Sequence, residues 1–212
     1  MKTSDFIQAL AADVAAAPVS IPKRVTAAMA FGGLASLALF LAMAGPRADL
    51  AAAIGTVRFQ LKYLDALALA VPAVALCWRL ARPDAKPGLL LAALFAPVVL
   101  LAVACGVELS VVPQAEWTRR LIGTNTVHCL TFIPLLSIPP LAGLIFALRE
   151  GAPANPALSG ALAGAASAGL SAMIYATNCT DDSPLFVASW YPLASLVVIG
   201  AGALAGNRWL RW

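Results

Sequence analysis

Two cysteines with polar neighbours are the residues of this sequence best suited to chemistry. Cys129 follows the only histidine, His128, and Cys179 is followed closely by Asp181 and Asp182. Thiolates and imidazole bind soft metal ions, and two thiols can also be oxidised to a disulfide. Nearby aspartates raise the pKa of a thiol, which counts against an activated nucleophile. Two interpretations therefore stay open, a structural disulfide and a redox or metal sensor, and no metal is assigned.

The cysteine spacing does not indicate catalysis. The chain has four cysteines and no C-x-x-C pair, and Cys129 and Cys179 lie far apart in it. A membrane thiol oxidoreductase normally uses two cysteines that are close in sequence. We therefore predict that the protein is not an enzyme and carries no cofactor. Cys105 is a further candidate participant, and Cys77 is expected to be a buried apolar thiol.

The composition indicates a membrane protein. Of the 212 residues, 61% are hydrophobic and 11% are charged, and the mean hydropathy is +0.87. Soluble domains carry about 25% charged residues. This composition excludes a soluble enzyme, a disordered protein and a direct nucleic-acid binder. The formal net charge of +4 is therefore interpreted as a signal for membrane orientation.

Six apolar runs are long enough to cross a lipid bilayer as helices, which takes about 20 residues each. They cover residues 25–44, 61–80, 88–107, 127–148, 157–177 and 185–205. The predicted fold is all-α: a polytopic bundle of six transmembrane helices (residues 25–212) after a short cytoplasmic tail (residues 1–24). Six prolines inside the runs are expected to kink the helices without ending them: Pro72, Pro97, Pro134, Pro139, Pro140 and Pro192.

Lysine and arginine predict the orientation of the bundle. An even number of spans puts both termini on one side, and nine of the 14 basic residues fall on that side. The side with more basic residues is normally cytoplasmic. The loop with Asp181 and Asp182 has no basic residue and is expected outside. The five basic residues assigned to the outer side are Arg47, Arg58, Lys62, Arg119 and Arg120.

Helix geometry predicts that the two polar-flanked cysteines lie at similar depth. The connection between the fourth and fifth runs is short, so these helices should be antiparallel neighbours. From Arg149 back to Cys129 the helix rises about 30 Å, and from Asn155 on to Cys179 it rises about 36 Å, at about 1.5 Å per residue. Both thiols are therefore expected near the outer surface and close to each other.

The N-terminal tail contains an amphipathic segment of about three turns. Phe6, Leu10 and Val14 recur at every fourth residue, with Ile7 beside them. The segment is too short to be stable as an isolated helix. It is expected to pack back on the bundle, to lie on the membrane, or to enter a groove of a partner protein. Its acidic polar face disfavours the membrane, and the residues leave the other two destinations open.

Two glycine motifs, Gly160-x-x-x-Gly164 and Gly202-x-x-x-Gly206, mark close contacts between helices. Such spacing lets two helix backbones approach each other. We interpret both motifs as packing inside the bundle. Dimerisation is the alternative, so an oligomer stays open.

A small membrane transporter or metal-efflux protein is the alternative function. Ion-coupled transporters usually carry ionisable residues at mid-depth in the membrane. Asp65 and Glu108 are instead expected near the outer ends of their helices. A regulatory binding protein is therefore favoured over a transporter.

Four stretches of the chain resemble one known family. They are residues 128–139 (HCLTFIPLLSIP), 147–153 (ALREGAP), 178–186 (NCTDDSPLF) and 190–191 (WY). Together with the six apolar runs, they resemble the NrsF-type anti-sigma factors of proteobacteria over essentially the whole chain. The resemblance implies a multi-pass protein of the bacterial inner membrane, in contact with the lipid bilayer, with both termini cytoplasmic. It also implies a partner on the cytoplasmic side, an extracytoplasmic-function sigma factor that is held inactive.

The resemblance also bears on the tail and on the two polar-flanked cysteines. It favours a groove of the partner as the destination of the tail, and the apolar stripe of the tail, Phe6, Ile7, Leu10 and Val14, then supplies the expected sigma-factor contacts. Members of the family carry two periplasmic cysteines implicated in sensing, which Cys129 and Cys179 match. The expected function is thus release of the sigma factor on a periplasmic stress signal, an oxidant or a heavy metal. The expected sensing residues are Cys129, Cys179, His128, Asp181 and Asp182.

Overall fold

The computed structural model describes residues 3–4 and 20–211, and every regular element within these residues is helical. Six helical stretches in this part of the chain are long and apolar enough to cross a membrane. The prediction of an all-α bundle with six transmembrane helices is therefore confirmed. The tail residues Phe6, Ile7, Leu10 and Val14 lie outside the described residues. Their contact with a partner, and the division of the chain at residue 24, stay predictions.

The helices follow the predicted spans with ends displaced by a few residues. In chain order they are α1 (Ile21–Met43), α2 (Leu50–Ile54), α3 (Val57–Leu80), α4 (Leu90–Ala93), α5 (Ala96–Val111), α6 (Trp117–Ile122), α7 (Thr126–Leu148), α8 (Pro156–Ala176) and α9 (Pro184–Trp209). A short 3₁₀ turn, Gln114–Glu116, precedes α6. The spans are α1, α3, α4 with α5, α7, α8 and α9.

Most of the prolines lie inside continuous helices, as predicted. One of them does not: Pro97 is in the first turn of α5, and a two-residue turn, Leu94 and Phe95, separates this helix from α4. Proline has no N–H, and its ring clashes with the carbonyl group four residues earlier, here that of Ala93. The expectation that Pro97 would not end a helix is therefore wrong. The prolines inside helices are Pro72, Pro134, Pro139, Pro140 and Pro192.

Helix α8 is the centre of the bundle. It packs against α9, α3 and α7, and its residues are more buried than those of any other span. Most of its side chains are those of alanine, glycine and serine, which are small enough for several helices to approach its axis. Helices α4 and α5 form the least buried span and lie at the periphery, against α9 and α3.

The two glycine motifs face each other across α8 and α9. A Cβ atom on Gly164 would lie 2.6 Å from the carbonyl oxygen of Val198, and one on Gly160 would meet the Gly202 carbonyl oxygen even more closely. No side-chain carbon can approach an oxygen that closely, so only glycine permits this contact. The predicted packing inside the bundle is confirmed.

The bundle has two polar ends. At the first, called the tail end, α1 begins and α9 finishes; Arg24 pairs with Glu150 at 2.9 Å, and the Ala152 N–H donates to the Ala81 carbonyl oxygen at 3.2 Å. At the second, called the cysteine end, α1, α5 and α8 finish and α3, α7 and α9 begin. Helices α7 and α8 are antiparallel neighbours, as predicted.

Candidate functional site

The loop that joins α8 to α9 is the centre of a polar network at the cysteine end. This α8–α9 loop consists of residues 177–183, and Pro184 begins α9 directly after it. Proline suits the first turn of a helix, because the N–H it lacks would have no helical partner there. Within the loop, the side-chain amide of Asn178 donates to the Gly45 carbonyl oxygen at 2.8 Å. This hydrogen bond attaches the loop to the end of α1.

Asp182 in the α8–α9 loop binds two cations from different elements. Its Oδ2 accepts from Arg47, between α1 and α2, at 2.7 Å, and its Oδ1 accepts from Lys62 of α3 at 2.5 Å. Both cations also donate to the carbonyl oxygen of Cys179, at 3.2 Å and 2.9 Å. Asp182 and the Cys179 backbone therefore join the α1–α2 connection and α3 to the loop.

Lys62 is the most deeply buried charge of this network. Its side chain is 0% exposed, and its Nζ lies 5.7 Å from the centre of the Phe59 ring. A buried ammonium group without an anion is strongly unfavourable. Asp182 supplies that anion, so the two residues depend on each other.

The guanidinium group of Arg47 is shared between two carboxylates. It donates to Asp49 at 2.7 Å and 2.8 Å in addition to its bond with Asp182. The hydrogen bonds to Asp49 and Asp182 raise the pKa of Arg47 against the opposing effect of burial. The bond from Arg47 likewise lowers the pKa of the Asp49 carboxyl. These groups are therefore held in their charged forms.

Asp181 attaches the same loop to the start of α7. Its Oδ2 accepts from the backbone N–H groups of Thr124 (2.8 Å) and Asn125 (2.7 Å), and from the Asn125 side-chain amide (2.9 Å). Burial acts to raise the pKa of Asp181, but these hydrogen bonds outweigh it, and the pKa is lowered. Asp181 is thus a carboxylate that holds the turn between α6 and α7.

Gly123 lets that turn approach Asp181. Its φ is +62°, and a Cβ atom at this position would lie 2.7 Å from Asp181 Oδ2 and 2.5 Å from the Phe186 ring. Positive φ values favour glycine because it has no Cβ. Any other residue here would displace the turn or the loop.

Glu108, in the last turn of α5, completes the network. Its side chain is buried, and its two oxygens pair with Arg58 at 2.7 Å and with Arg120 at 2.9 Å. The hydroxyl group of Ser183 donates to Glu108 Oε1 at 3.3 Å. Through these bonds α3, α5 and α6 all meet at the α8–α9 loop.

Cys129 and Cys179 lie beneath this network in one apolar cluster. Both side chains are 0% exposed, and they pack in a cluster that includes Tyr175 and Tyr191. The Cys179 thiol points at the carbonyl oxygen of Asp181, with sulfur and oxygen 3.7 Å apart. Both cysteines are free. The structure therefore brings together the two residues that the sequence analysis paired, as thiols.

The environment of Cys179 keeps its thiol protonated. Burial raises the pKa of the Cys179 thiol, and the nearby positive charge of Lys62 opposes that shift only in part. Asp181 has two smaller and opposite effects: the contact of the thiol with its carbonyl oxygen lowers the pKa of Cys179, and its negative charge raises it. The thiolate is the form that binds metals and attacks disulfides. Burial, more than the nearby aspartates, therefore keeps the Cys179 thiol in its protonated, less reactive form.

His128 lies at the edge of the cysteine cluster and not within it. Its side chain is exposed and stacks on Phe132, with ring centres 6.2 Å apart. Successive residues of a helix point about 100° apart around its axis, so Cys129 faces the core while His128 faces outward. Among residues 3–4 and 20–211, no group of three or more His, Cys, Asp or Glu side chains is arranged to hold a metal ion.

The other two cysteines have separate surroundings. Cys105 of α5 donates from its thiol to the Pro184 carbonyl oxygen, with sulfur and oxygen 3.4 Å apart. This contact places it at the start of α9 and within reach of the α8–α9 loop. Cys77 of α3 is fully buried in the apolar cluster nearer the tail end, as predicted.

Sequence reasoning missed the partners of the two aspartates. It used Arg47 and Lys62 only to predict the orientation, and it did not single out Asn125. A lysine inside an apolar helix is a signal for a partnered charge, because an unpaired one is too costly in a membrane. That signal identifies Lys62 but not the carboxylate that it binds.

Comparison with known proteins identifies the family. The family described as "Negative regulator of sigma F" (NrsF) matches residues 10–212. A relative from Azospira oryzae, "Probable anti-sigma-F factor NrsF", is 31% identical over 213 residues, with 100% of both chains covered. The "Anti-sigma-F factor NrsF" of Caulobacter vibrioides is 33% identical over 217 residues, again with 100% of both chains covered. No solved structure matches. The chain therefore belongs to the NrsF family of negative regulators of sigma F, whose function is regulatory and not enzymatic.

Proposed function

We propose that this protein is an anti-sigma factor of the bacterial inner membrane that binds an extracytoplasmic-function sigma factor on the cytoplasmic side and releases it on a periplasmic stress signal. The names of two relatives, both anti-sigma-F factors, support the binding of a sigma factor. One observation carries the sensing part of the proposal. Cys179, one of the two proposed sensing residues, also holds Lys62 and Arg47 through its carbonyl oxygen.

Chemistry at the two thiols changes the α8–α9 loop. When a two-electron oxidant converts Cys129 and Cys179 to a disulfide, two protons are released and two electrons pass to the oxidant. A thiophilic cation such as Cd²⁺ instead displaces both protons and forms two metal–sulfur bonds. Either product has a different geometry from two separate thiols. The Cys179 peptide group must then move with its side chain, and its bonds to Lys62 and Arg47 change.

The helices attached to this loop transmit the change to the tail end. Lys62 belongs to α3, and Arg47 follows α1, so both helices are held by the α8–α9 loop at the cysteine end. At the tail end, α1 begins at Ile21, seven residues after Val14, the last of the proposed sigma-factor contacts. Coupling of this kind requires that the sensing site favours one of two helix arrangements.

The tail end also offers a basic surface to a partner. A cavity of about 580 Å³ lies between the start of α1 and the end of α3. Three basic side chains, Arg79, Arg82 and Lys86, line it together with one acidic side chain, Asp84. An acidic segment of a sigma factor would complement these charges. This cavity supports placing the partner at the tail end.

A charge in the apolar stripe of the tail tests the proposed contact. Leu10→Asp should abolish retention of the sigma factor, because a carboxylate must lose its water to enter an apolar groove. Gln8→Asp adds the same charge outside the stripe and is the matched control. Retention is measured by purifying the full chain from native membranes and identifying the sigma factor by mass spectrometry. Equal retention by both variants contradicts the tail contact.

Cysteine substitutions test the sensing role. Cys129→Ala and Cys179→Ala should each abolish the response of a sigma-dependent reporter to diamide or Cd²⁺, and the double variant should behave like either single one. Cys77→Ala, in the other apolar cluster, is the control and should respond normally. Additive effects of the two single substitutions would show two independent thiols and overturn the pair as one sensing unit.

A further inference from the structure

A cavity inside the membrane-spanning part of the bundle lies between α3, α5 and α9. Its volume is about 270 Å³. Buried polar side chains line one part of it: Asp65 of α3, and Tyr191 and Ser195 of α9. Val98 and Leu196, which also line it, are 62% and 61% exposed on the outer surface of the bundle. The cavity therefore opens sideways, toward the lipid.

The buried part of this cavity contains a carboxyl oxygen without a donor. Asp65 is 6% exposed, and its Oδ1 has no hydrogen-bond partner within residues 3–4 and 20–211. Glu108 is buried to a similar extent but pairs with Arg58 and Arg120. A buried polar oxygen without a donor is unfavourable, and ionisable residues inside membrane helices commonly mark binding sites. A ligand that brings a donor to Asp65 gains this interaction.

The polar lining residues lie well inside the helices that carry them, so Asp65 is deeper than the sequence analysis expected. Asp65 is eight residues into α3, and Tyr191 is seven residues into α9, from ends that both lie at the cysteine end. These positions correspond to depths of about 12 Å and about 11 Å along the helices. The hydrocarbon core of a bilayer is about 30 Å thick. A molecule that reaches Asp65 through the opening beside Val98 and Leu196 has to be soluble in lipid.

The lining selects a neutral apolar molecule that carries a hydroxyl group. A hydroxyl group can donate to Asp65 and accept from the hydroxyl group of Ser195 or Tyr191 at the same time. An ammonium group would have to lose its water in largely apolar surroundings. A lipid acyl chain would leave Asp65 without a donor. We propose that this cavity binds apolar phenols or alcohols that enter from the lipid and donate a hydrogen bond to Asp65.

Occupation of the cavity affects the cysteine cluster through one shared residue. Tyr191 lines the cavity and also packs in the apolar cluster with Cys129 and Cys179. A ligand beside Asp65 therefore contacts a side chain that touches the proposed sensing site. The binding itself does not depend on whether the protein holds a sigma factor.

Fluorine NMR on the full chain in lipid nanodiscs tests the binding. The probe is 4-(trifluoromethyl)phenol, and (trifluoromethyl)benzene, which lacks only the hydroxyl group, is the matched control; empty nanodiscs correct for partition into lipid. We expect saturable binding of the phenol with an affinity about tenfold higher than that of the control. One additional hydrogen bond to a carboxylate accounts for a difference of this size. Asp65→Leu should remove this tenfold preference. Val197→Leu, at an exposed position of α9, should bind like the original chain.

Two outcomes overturn the proposal. Equal affinity for both probes would show a cavity that takes hydrocarbon, such as an acyl chain. Unchanged phenol affinity in Asp65→Leu would show that the carboxyl group takes no part. If Asp65→Leu does not fold, Ser195→Leu provides the test, because its larger side chain fills the cavity and should abolish phenol binding. Unchanged binding by that variant overturns the proposal as well.

Discussion

Replacing Asp182 by asparagine should destabilise the protein strongly through its effect on Lys62. The Lys62 ammonium group is 0% exposed and lies 2.5 Å from Asp182, and it has no second carboxylate partner in the described part of the chain. A neutral amide would leave this charge buried and uncompensated. Removing one partner of a buried ion pair costs about 3–5 kcal/mol. Since about 1.4 kcal/mol corresponds to a factor of ten, the unfolding equilibrium constant should rise by about two to four orders of magnitude.

Arg47 does not add much to this loss, because it keeps its second carboxylate. Asp49 still accepts two hydrogen bonds from the Arg47 guanidinium group when Asp182 is changed. The Asp49 side chain is exposed to solvent, and exposed ion pairs contribute little to the free energy of unfolding. The expected effect therefore comes from Lys62.

Unfolding by SDS in mixed micelles, followed by tryptophan fluorescence, measures this change. Asp84→Asn is the matched control: the same substitution at an exposed position of the tail end, with an expected change within about 0.5 kcal/mol. The double variant Lys62→Met with Asp182→Asn removes both charges and should be more stable than Asp182→Asn alone.

Two results would refute this reasoning. The first is a loss of less than about 1 kcal/mol in Asp182→Asn, which is the size of an ordinary substitution. The second is a double variant as unstable as the single one, because the destabilisation would then not come from an uncompensated lysine.

Three further predictions concern other parts of the chain. The pKa of Asp181 is lowered from 3.8 in the fold, so its carboxylate stabilises the protein above that pH and stops doing so as the pH falls through the folded pKa. The stability difference between the original chain and Asp181→Asn should therefore shrink as the pH is lowered below about 4; a constant difference contradicts this. Gly164→Ala should destabilise the protein by about 1–3 kcal/mol or more through overpacking, whereas Gly200→Ala, where a Cβ atom has nothing within 4 Å, should be neutral in the same SDS assay. Reporter fusions should score as cytoplasmic at Ala85 and as periplasmic at Asp182, and the opposite pattern would refute the proposed orientation.

The spans could be predicted because the length and hydropathy of a run are local properties of the chain. A run of about 20 apolar residues has to form a helix in lipid, whatever the rest of the protein does. The prediction erred at Pro97, where the ring ended one helix and began another. The other prolines remain inside helices, and no local rule separates these two outcomes. Neighbouring helices and side chains decide whether the broken backbone hydrogen bond is compensated.

The candidate sensing site could be predicted in part. Counting residues from the short turn between α7 and α8 placed Cys129 and Cys179 at similar depth, because the rise of a helix is constant. The grouping of His128 with them stays a prediction, although the structure has this side chain facing outward. Which way a side chain of a helix points depends on how the helix packs against its neighbours. Counting residues along the helix gives only the depth of that side chain.

The sequence by itself determined the class of this protein, its six spans and its family, since these follow from composition, run length and motifs. Only the tertiary structure decided which partners the two loop aspartates bind. Lys62 and Asp182 are 120 positions apart, and Asn125 and Asp181 are 56 apart, yet each pair is in hydrogen-bond contact. The physical reason is the range of the interactions. The hydropathy of a run is a property of neighbouring residues in the sequence. An ion pair instead requires two atoms within about 4 Å, and the packing of the helices sets that distance.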